Sequence, residues 1–388
     1  MNLVSIVLLY LYQSSVAELF SRGCTIPEIP LVGFEIEVMV AKTLIRKGFM
    51  LGARYSGVSG ALSPWLAGCG AILMLHRIAP CKDDLCINGF LSVEAGFLDR
   101  MLENMKKDGY RFCPMDEVVD RLRAGHKDER FIAVTLDDGY KDNLVAGAPV
   151  FESHDVPYTI YVCPGFVEGY AHLWWENLAD LIEARDEIIF YTEHGKTRIE
   201  CMSFSQKRGA YARLLKYLTH DVDEIRQREF VDDLCAAYGM DPKAHVKSQI
   251  MSWEDLRQLN RSPLCTLGAH TLNHYHLARL GAEDAAFEME QSGRVLALEL
   301  GEMPRHFAYP YGAPIAVGQR EVDMARQLGY QTAVTTRHGT LHPRHVDTAH
   351  ALPRISVNGN YQHMVYVRTL LSGFATPFAN GGRRVVTV

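Results

Sequence analysis

The chain has 388 residues, 48% of them hydrophobic and 22% charged, with 40 Lys+Arg against 46 Asp+Glu and a net charge of -6. That is ordinary for a soluble globular protein, long enough for one barrel-sized domain with insertions or for two smaller domains. No basic stretch interleaved with aromatics occurs, which argues against nucleic acid as a partner.

Cys24, Cys69, Cys81, Cys86, Cys113, Cys163, Cys201, Cys235 and Cys265 are odd in number and include no Cys-x-x-Cys pair. They indicate neither a disulfide framework nor a thiolate zinc site, and scattered thiols in a reducing compartment fit better. Residues 3–12 form an apolar run too short to span a bilayer, and no Lys or Arg precedes it. Ser15-Val16-Ala17 offers a cleavage site, so export stands as the alternative to a location in the cytoplasm or at the inner membrane face.

Taken in order, residues 1–38 show no sustained period and are expected to lie outside the fold. An amphipathic pattern with Lys42, Arg46, Lys47 and Arg54 then predicts a lead-in helix over 39–70. It is read as packing on the exterior of the fold, with peripheral membrane contact as the alternative. Residues 71–75 read as a buried strand ending at His76-Arg77. Ser92 is a good N-cap for a helix to residue 108, stopped by Gly109. A short helix over 115–124 leads to Phe131-Ile132-Ala133-Val134-Thr135-Leu136, a strand apolar on both faces that runs into Asp137-Asp138-Gly139-Tyr140. A helix over 141–154 and a strand over 158–162 continue an alternation that argues for a parallel α/β sheet or barrel.

Between about 172 and 250 the pattern changes to a mostly helical inserted cap. It opens at Trp174-Trp175-Glu176, holds a hairpin around His194-Gly195, and ends with two charged helices. The alternation resumes at Ser252, with a strand over 265–269 delivering His270 and a helix over 282–300. The segment 306–309 runs into Pro310-Tyr311-Gly312, a strand over 331–335 follows, and Leu352-Pro353-Arg354-Ile355 closes the set. The expected organisation is a barrel over 71–373 carrying the insertion, with a loose tail over 374–388.

Two adjacent carboxylates at the carboxyl end of a buried strand are expensive unless something positive is shared between them, most simply a metal ion. His270-Thr271-Leu272-Asn273-His274 spaces two imidazoles four residues apart, which in a helical turn puts both on one face. The zincin glutamate is missing, and Asp138 supplies the acid for a two-His, one-carboxylate site. Alone, a His-x-x-x-His pair is more often an accident of composition, and Asp-Asp-Gly is usually a turn. Both at strand ends of one α/β pattern point to a metal.

Thr135-Leu136-Asp137-Asp138-Gly139, His270-Thr271-Leu272-Asn273-His274 and Phe307-Ala308-Tyr309-Pro310-Tyr311-Gly312 resemble the first three motifs of the polysaccharide deacetylases, carbohydrate esterase family 4, the enzymes with a nodulation-protein-B homology domain. The resemblance covers roughly 71–165 and 251–356. It implies a distorted (β/α) barrel of about seven strands that removes acetyl groups from sugars with a divalent metal, most readily Zn²⁺. Carried over by motif, Asp137 is the general base, Asp138, His270 and His274 hold the metal, and the backbone N–H of Tyr311 faces the oxyanion.

Two departures stand out. The arginine that orients the base in the family's third motif is replaced by Ala308, and the late Leu-x-His motif with its acid histidine gives way to Leu352-Pro353-Arg354. An amine leaving group still needs a proton. His76 suits that role, as in the branch that deacetylates poly-N-acetylglucosamine, and its alternative is a structural histidine. Arg354 either replaces the orienting arginine or simply pairs with a carboxylate. Among Trp174, Trp175, Tyr140 and Tyr309, the position of Tyr309 in its motif favours it for stacking on a sugar ring, while the tryptophans are left to the core. The expected activity is deacetylation of an N-acetylated glycan of chitooligosaccharide or poly-N-acetylglucosamine type. The alternatives are an amidohydrolase on a small cyclic amide and a catalytically silent carbohydrate-binding protein.

Overall fold

The computed structural model describes residues 32–80, 86–125, 129–192 and 195–388. The apolar run at 3–12, the Ser15-Val16-Ala17 site and His194 lie outside the described residues. Seven parallel strands form the centre: β1 (Gly70–Leu75), β2 (Phe131–Leu136), β3 (Tyr158–Val162), β4 (Cys265–Ala269), β5 (His306–Ala308), β6 (Thr332–His338) and β7 (Leu352–Ser356). Each pairs with the next, and β7 returns to β1 through Leu73↔Ile355, so the sheet closes into a barrel. Pairing is long between β1 and β2, from Gly70↔Phe131 to Leu75↔Leu136. It thins to Phe307↔Ala269 between β4 and β5 and shifts register between β6 and β7. These weak seams are the distortion of the barrel.

The two-residue period of a strand sorts its side chains between two apolar layers. Ile72, Phe131, Ala133, Tyr161, Ala308, Val334 and Leu352 fill the barrel interior. Leu73, Val134, Ile160, Leu267 and Phe307 face the helices outside, against Leu98, Met101, Phe151 and Met289. Gly268 is required inside, because a Cβ there would lie 2.6 Å from the Tyr161 ring. Phe131, Ala133 and Thr135 point inward, so Asp137 does too. By the same count Arg354 follows Leu352 inward.

The cap carries the helix Trp174–Glu183, an antiparallel pair Glu187–Thr192 and Gly195–Glu200, and the helices Phe204–Lys216, Glu224–Ala237 and Ala244–Gln249. Its core, with Leu178, Leu181, Leu214 and Val231, is continuous with Tyr140, Cys163 and Phe166 at the barrel mouth. Ser203 starts one helix with a capping box to Gln206, and Asp223 caps the next by accepting from the N–H groups of Ile225 and Arg226.

Three boundaries differ from the sequence reading. The lead-in helix runs Val32–Tyr55, starting and ending earlier than expected, because Gly57 takes left-handed backbone at φ 78° and a second helix, Val58–Leu66, begins after it. Ser92 is drawn into a two-residue strand against Arg77, so the helix there is Ala95–Lys107. The tail past Gly373 is tied down. Phe374 and Phe378 pack on Phe49, Val386 O accepts from His345 Nε2 at 3.0 Å, and Thr387 O accepts from Arg337.

Candidate metal centre

Asp138, His270 and His274 are buried, and one donor atom from each lies within 4.8 Å of the others. Asp138 Oδ1 is 3.4 Å from His270 Nε2 and 3.3 Å from His274 Nε2. It has no hydrogen-bond partner in the structure. Donors around a tetrahedral ion with bonds of about 2.0–2.1 Å stand roughly 3.3 Å apart, so the three residues fit a divalent metal. His270 Nδ1 donates to Ala308 O at 2.8 Å, which leaves Nε2 with its lone pair toward Asp138. Burial opposes ionisation of Asp138, but the closeness of the His270 and His274 imidazoles outweighs it and holds the carboxyl below its usual range.

The histidines do not sit on a helical turn, as the spacing had suggested. Residues 271–275 form a loop in which Thr271 and His274 adopt left-handed backbone, φ 58° and 57°. Glu288 of the helix Ala282–Leu300 holds this loop. Its Oε2 accepts from Asn273 N at 2.8 Å, its Oε1 from Asn273 Nδ2 at 2.6 Å, and its O from Leu272 N at 3.0 Å. Asp138 (φ 75°) and Tyr311 (φ 61°) are also left-handed, so four of the five such non-glycine residues among those described lie at this centre. Each costs roughly 1–3 kcal/mol, and such strain gathers where geometry serves a site.

Asp137 stands beside Asp138 with both oxygens taken by Arg354: Nη1 donates to Oδ1 and Nη2 to Oδ2, each at 2.7 Å. Arg354 also donates to Thr335 O and to Thr135 Oγ1. Burial opposes the charge on Asp137, but the guanidinium outweighs it and keeps the carboxyl below its ordinary range. The two sequence readings of Arg354 are thus one. It pairs with a carboxylate, and that carboxylate is the one beside the donors. The donors of the Arg354 guanidinium are thus directed at Asp137, Thr135 and Thr335 inside the barrel.

His76 is partly exposed at the end of β1. Its carbonyl accepts from Asn143 Nδ2 at 2.8 Å, and its ring is near enough to influence both Asp137 and Asp138. Tyr311 meets the donors: its ring centroid is 5.3 Å from that of His274, and its carbonyl accepts from Thr336 Oγ1 at 2.6 Å. Tyr309 does not. Its ring packs on Phe307 in the outer layer and its hydroxyl donates to His350 O at 2.9 Å, because the strand period turns residue 309 outward with 307.

The tryptophans are buried, as expected, but they wall the centre. Trp175 lies 4.9 Å from the His274 ring and donates Nε1 to Tyr140 OH, while Trp174 Nε1 donates to Tyr311 OH at 3.3 Å. Sequence reasoning also missed the clamp from the cap. Glu224 bonds Arg228 at 2.7 Å, Arg279 at 3.2 Å and His276 N at 3.1 Å, while Arg228 Nη2 donates to His274 O at 2.7 Å. Glu288 carried a signal, a charge on the buried stripe of Ala285, Met289, Ser292 and Leu296. Glu224 and Arg228 carried none, since their spacing reads as a surface helix pair.

The polysaccharide deacetylase sequence profile matches residues 124–333, more than half of the chain. Among solved structures, the deacetylase PplD of Streptococcus pyogenes in complex with acetate is similar at a TM-score of 0.50 and 18% identity, over 75% of this chain and 92% of that one. IcaB from Ammonifex degensii is similar at 0.50 and 18%, over 78% of this chain and 97% of that one. At such identity the likeness is one of fold. No curated protein sequence matches the chain.

Proposed function

The chain belongs to the polysaccharide deacetylase family, and from that premise we propose that it is a metal-dependent hydrolase removing acetyl groups from N-acetylated sugars of the chitooligosaccharide or poly-N-acetylglucosamine type. The observation that carries this reading is the convergence of Asp138, His270 and His274 next to an Arg354-bound Asp137. Asp138, His270 and His274 would hold the ion, which we take to be Zn²⁺. When bound it supplies a Lewis acid for the acetyl carbonyl and for the attacking water.

The chain's own residues then divide the remaining work. Asp137 accepts the proton of the attacking water. Each of its oxygens gives one lone pair to Arg354 and keeps another, so the arginine aims the carboxylate without blocking it. Arg354 also keeps Asp137 ionised despite burial, the state a base needs. The Tyr311 N–H, presented by left-handed backbone between Pro310 and Gly312, stabilises the developing oxyanion. His76 gives a proton to the leaving amine from the open side of the mouth. Trp174, Trp175 and the Arg228 clamp exclude water from the other side.

The test is acetate release from N-acetylglucosamine oligomers by the purified chain, with and without chelator. Release that chelation abolishes and a divalent ion restores is expected. A metal-loaded protein that frees no acetate from any acetylated sugar overturns the reading.

A further inference from the structure

One helix on the surface is turned inside out. In Val58–Leu66 the two serines turn toward the protein: Ser59 is buried, and Ser63 Oγ accepts from Arg130 Nη1 at 3.0 Å. The exposed positions are Val58, Gly60, Ala61, Pro64 and Trp65, with no polar side chain among them. Trp65 is 65% exposed. A surface helix in water normally shows the opposite pattern, with its polar face outward.

The helix before it continues the pattern. Towards the end of Val32–Tyr55 the exposed positions Leu44, Gly48, Gly52 and Tyr55 recur at helical spacing, with Ile45 beside them, so they share one stripe. Leu44 and Tyr55 are 63% and 77% exposed, and a Cβ at Gly48 or Gly52 would meet nothing within 4 Å. By the same helical count Arg46 flanks the stripe on one side, Lys47 and Arg54 on the other. The C-terminal tail joins the two helices. Its exposed Phe378 packs on Phe49, and Arg384 Nη1 donates to Trp65 O at 3.5 Å. No Asp or Glu occurs between Glu37 and Asp83, nor after Asp347, in a chain whose net charge is -6. The charged side chains on the segments that build this face are therefore all Lys or Arg.

We propose that this face docks on a bilayer surface carrying anionic lipid, with Trp65, Leu44 and Phe378 entering the headgroup boundary and Arg54 and Arg384 meeting lipid phosphates. Apolar burial and cation attraction add together in binding of this kind, and tryptophan suits the boundary. Charge selects the occupant. A second copy of the chain would set like charges against each other, whereas anionic lipid complements them. Among the described residues no helix is long and apolar enough to cross a membrane, so the face rests on one. The helix Val58–Leu66 leads into the start of β1 and so stands at the end of the barrel opposite His76, which leaves the mouth free.

The test is sedimentation of the full-length protein with vesicles of phosphatidylcholine alone, or mixed equally with phosphatidylglycerol. The mixed vesicles should carry the protein down, the neutral ones clearly less, and added salt should release it. Trp65→Ser should weaken binding on the order of 10-fold, the loss of one large apolar side chain from the boundary. Arg54→Gln combined with Arg384→Gln should weaken it by roughly fivefold per charge on the mixed vesicles and leave the neutral ones unaltered. Lipid brominated in its acyl chains should quench part of the parent's fluorescence, and Trp65→Ser should abolish that part. All three side chains are exposed, so the unfolding midpoint should not move. No binding to either vesicle overturns the inference. Full binding by Trp65→Ser, or quenching that survives it, means that another part of the chain holds the lipid and overturns it too. Equal binding to both vesicles overturns the choice of anionic lipid. A dimer in solution that Trp65→Ser dissolves makes the face an interface between copies, and overturns the inference as well.

Discussion

Replacing Arg354 with methionine removes the cation from the barrel interior while keeping an apolar stem of similar reach. Arg354 and Asp137 are 1% and 2% exposed, so solvent does not screen the pair, and both contacts are 2.7 Å. Breaking one partner of such a buried pair costs roughly 3–5 kcal/mol, because the other is left as an uncompensated charge. Thr335 O and Thr135 Oγ1 lose a bonding partner in the same step. Pairing Arg354→Met with Asp137→Asn removes the stranded charge, so the double variant should be destabilised by clearly less than the sum of the two single ones. Residues in one network commonly couple by roughly 0.5–3 kcal/mol, and this pair should lie at the upper end. Urea unfolding of parent, both single variants and the double variant measures it. Acetate release by Arg354→Met should fall by roughly 10²–10⁴-fold as the base loses aim and charge, and Arg354→Lys should recover only part of that because it lacks the planar fork. A single-variant cost below about 1 kcal/mol, or strict additivity in the double, refutes the account of a buried pair.

The purified protein should hold about one divalent ion per chain, and His274→Ala should lose it while circular dichroism stays unchanged; undiminished metal in that variant sinks the donor assignment. Asp137→Asn should keep metal yet lose roughly 10²–10⁴-fold in turnover, whereas His76→Ala should harm an amide substrate more than an aryl acetate, and equal losses on the two would reject the acid role. Glu224→Ala leaves the Arg228 and Arg279 guanidinium groups without their carboxylate, so the cap should open to proteolysis at a cost of roughly 3–5 kcal/mol; unaltered cleavage rates contradict this. Gly268→Ala forces a Cβ against Tyr161 Cδ1 and to 3.0 Å from His306 O, which should cost roughly 1–3 kcal/mol by overpacking, and an unchanged unfolding midpoint would show that the interior yields.

The candidate donor set was legible because each of its residues sits near where a buried apolar run meets a polar motif, and that junction can be seen in one dimension. Asp138 ends the 131–136 run and His270 ends the 265–269 run, as the structure has them. The helical turn expected for His270 and His274 failed for a reason outside that segment. Glu288, on another element, takes the backbone N–H of Asn273 and holds a loop instead. Tyr309 was misassigned because every residue from His306 to Tyr309 is buried. A barrel strand is apolar on its inner and outer faces alike, so composition does not say which way residue 309 turns.

From the sequence alone follow the α/β alternation, the inserted cap, the three candidate metal donors and the carboxylate next to them, since strand period and motif spacing are local properties of the chain. Only the closed barrel decides what meets what across it. It brings Arg354 on β7 to Asp137 beyond the end of β2, 217 residues apart, on the interior face they share. It brings cap residues Trp175 and Arg228 to His274. Such contacts depend on strand register and on how the cap docks, and both are set by the packing of the whole molecule rather than by any one segment.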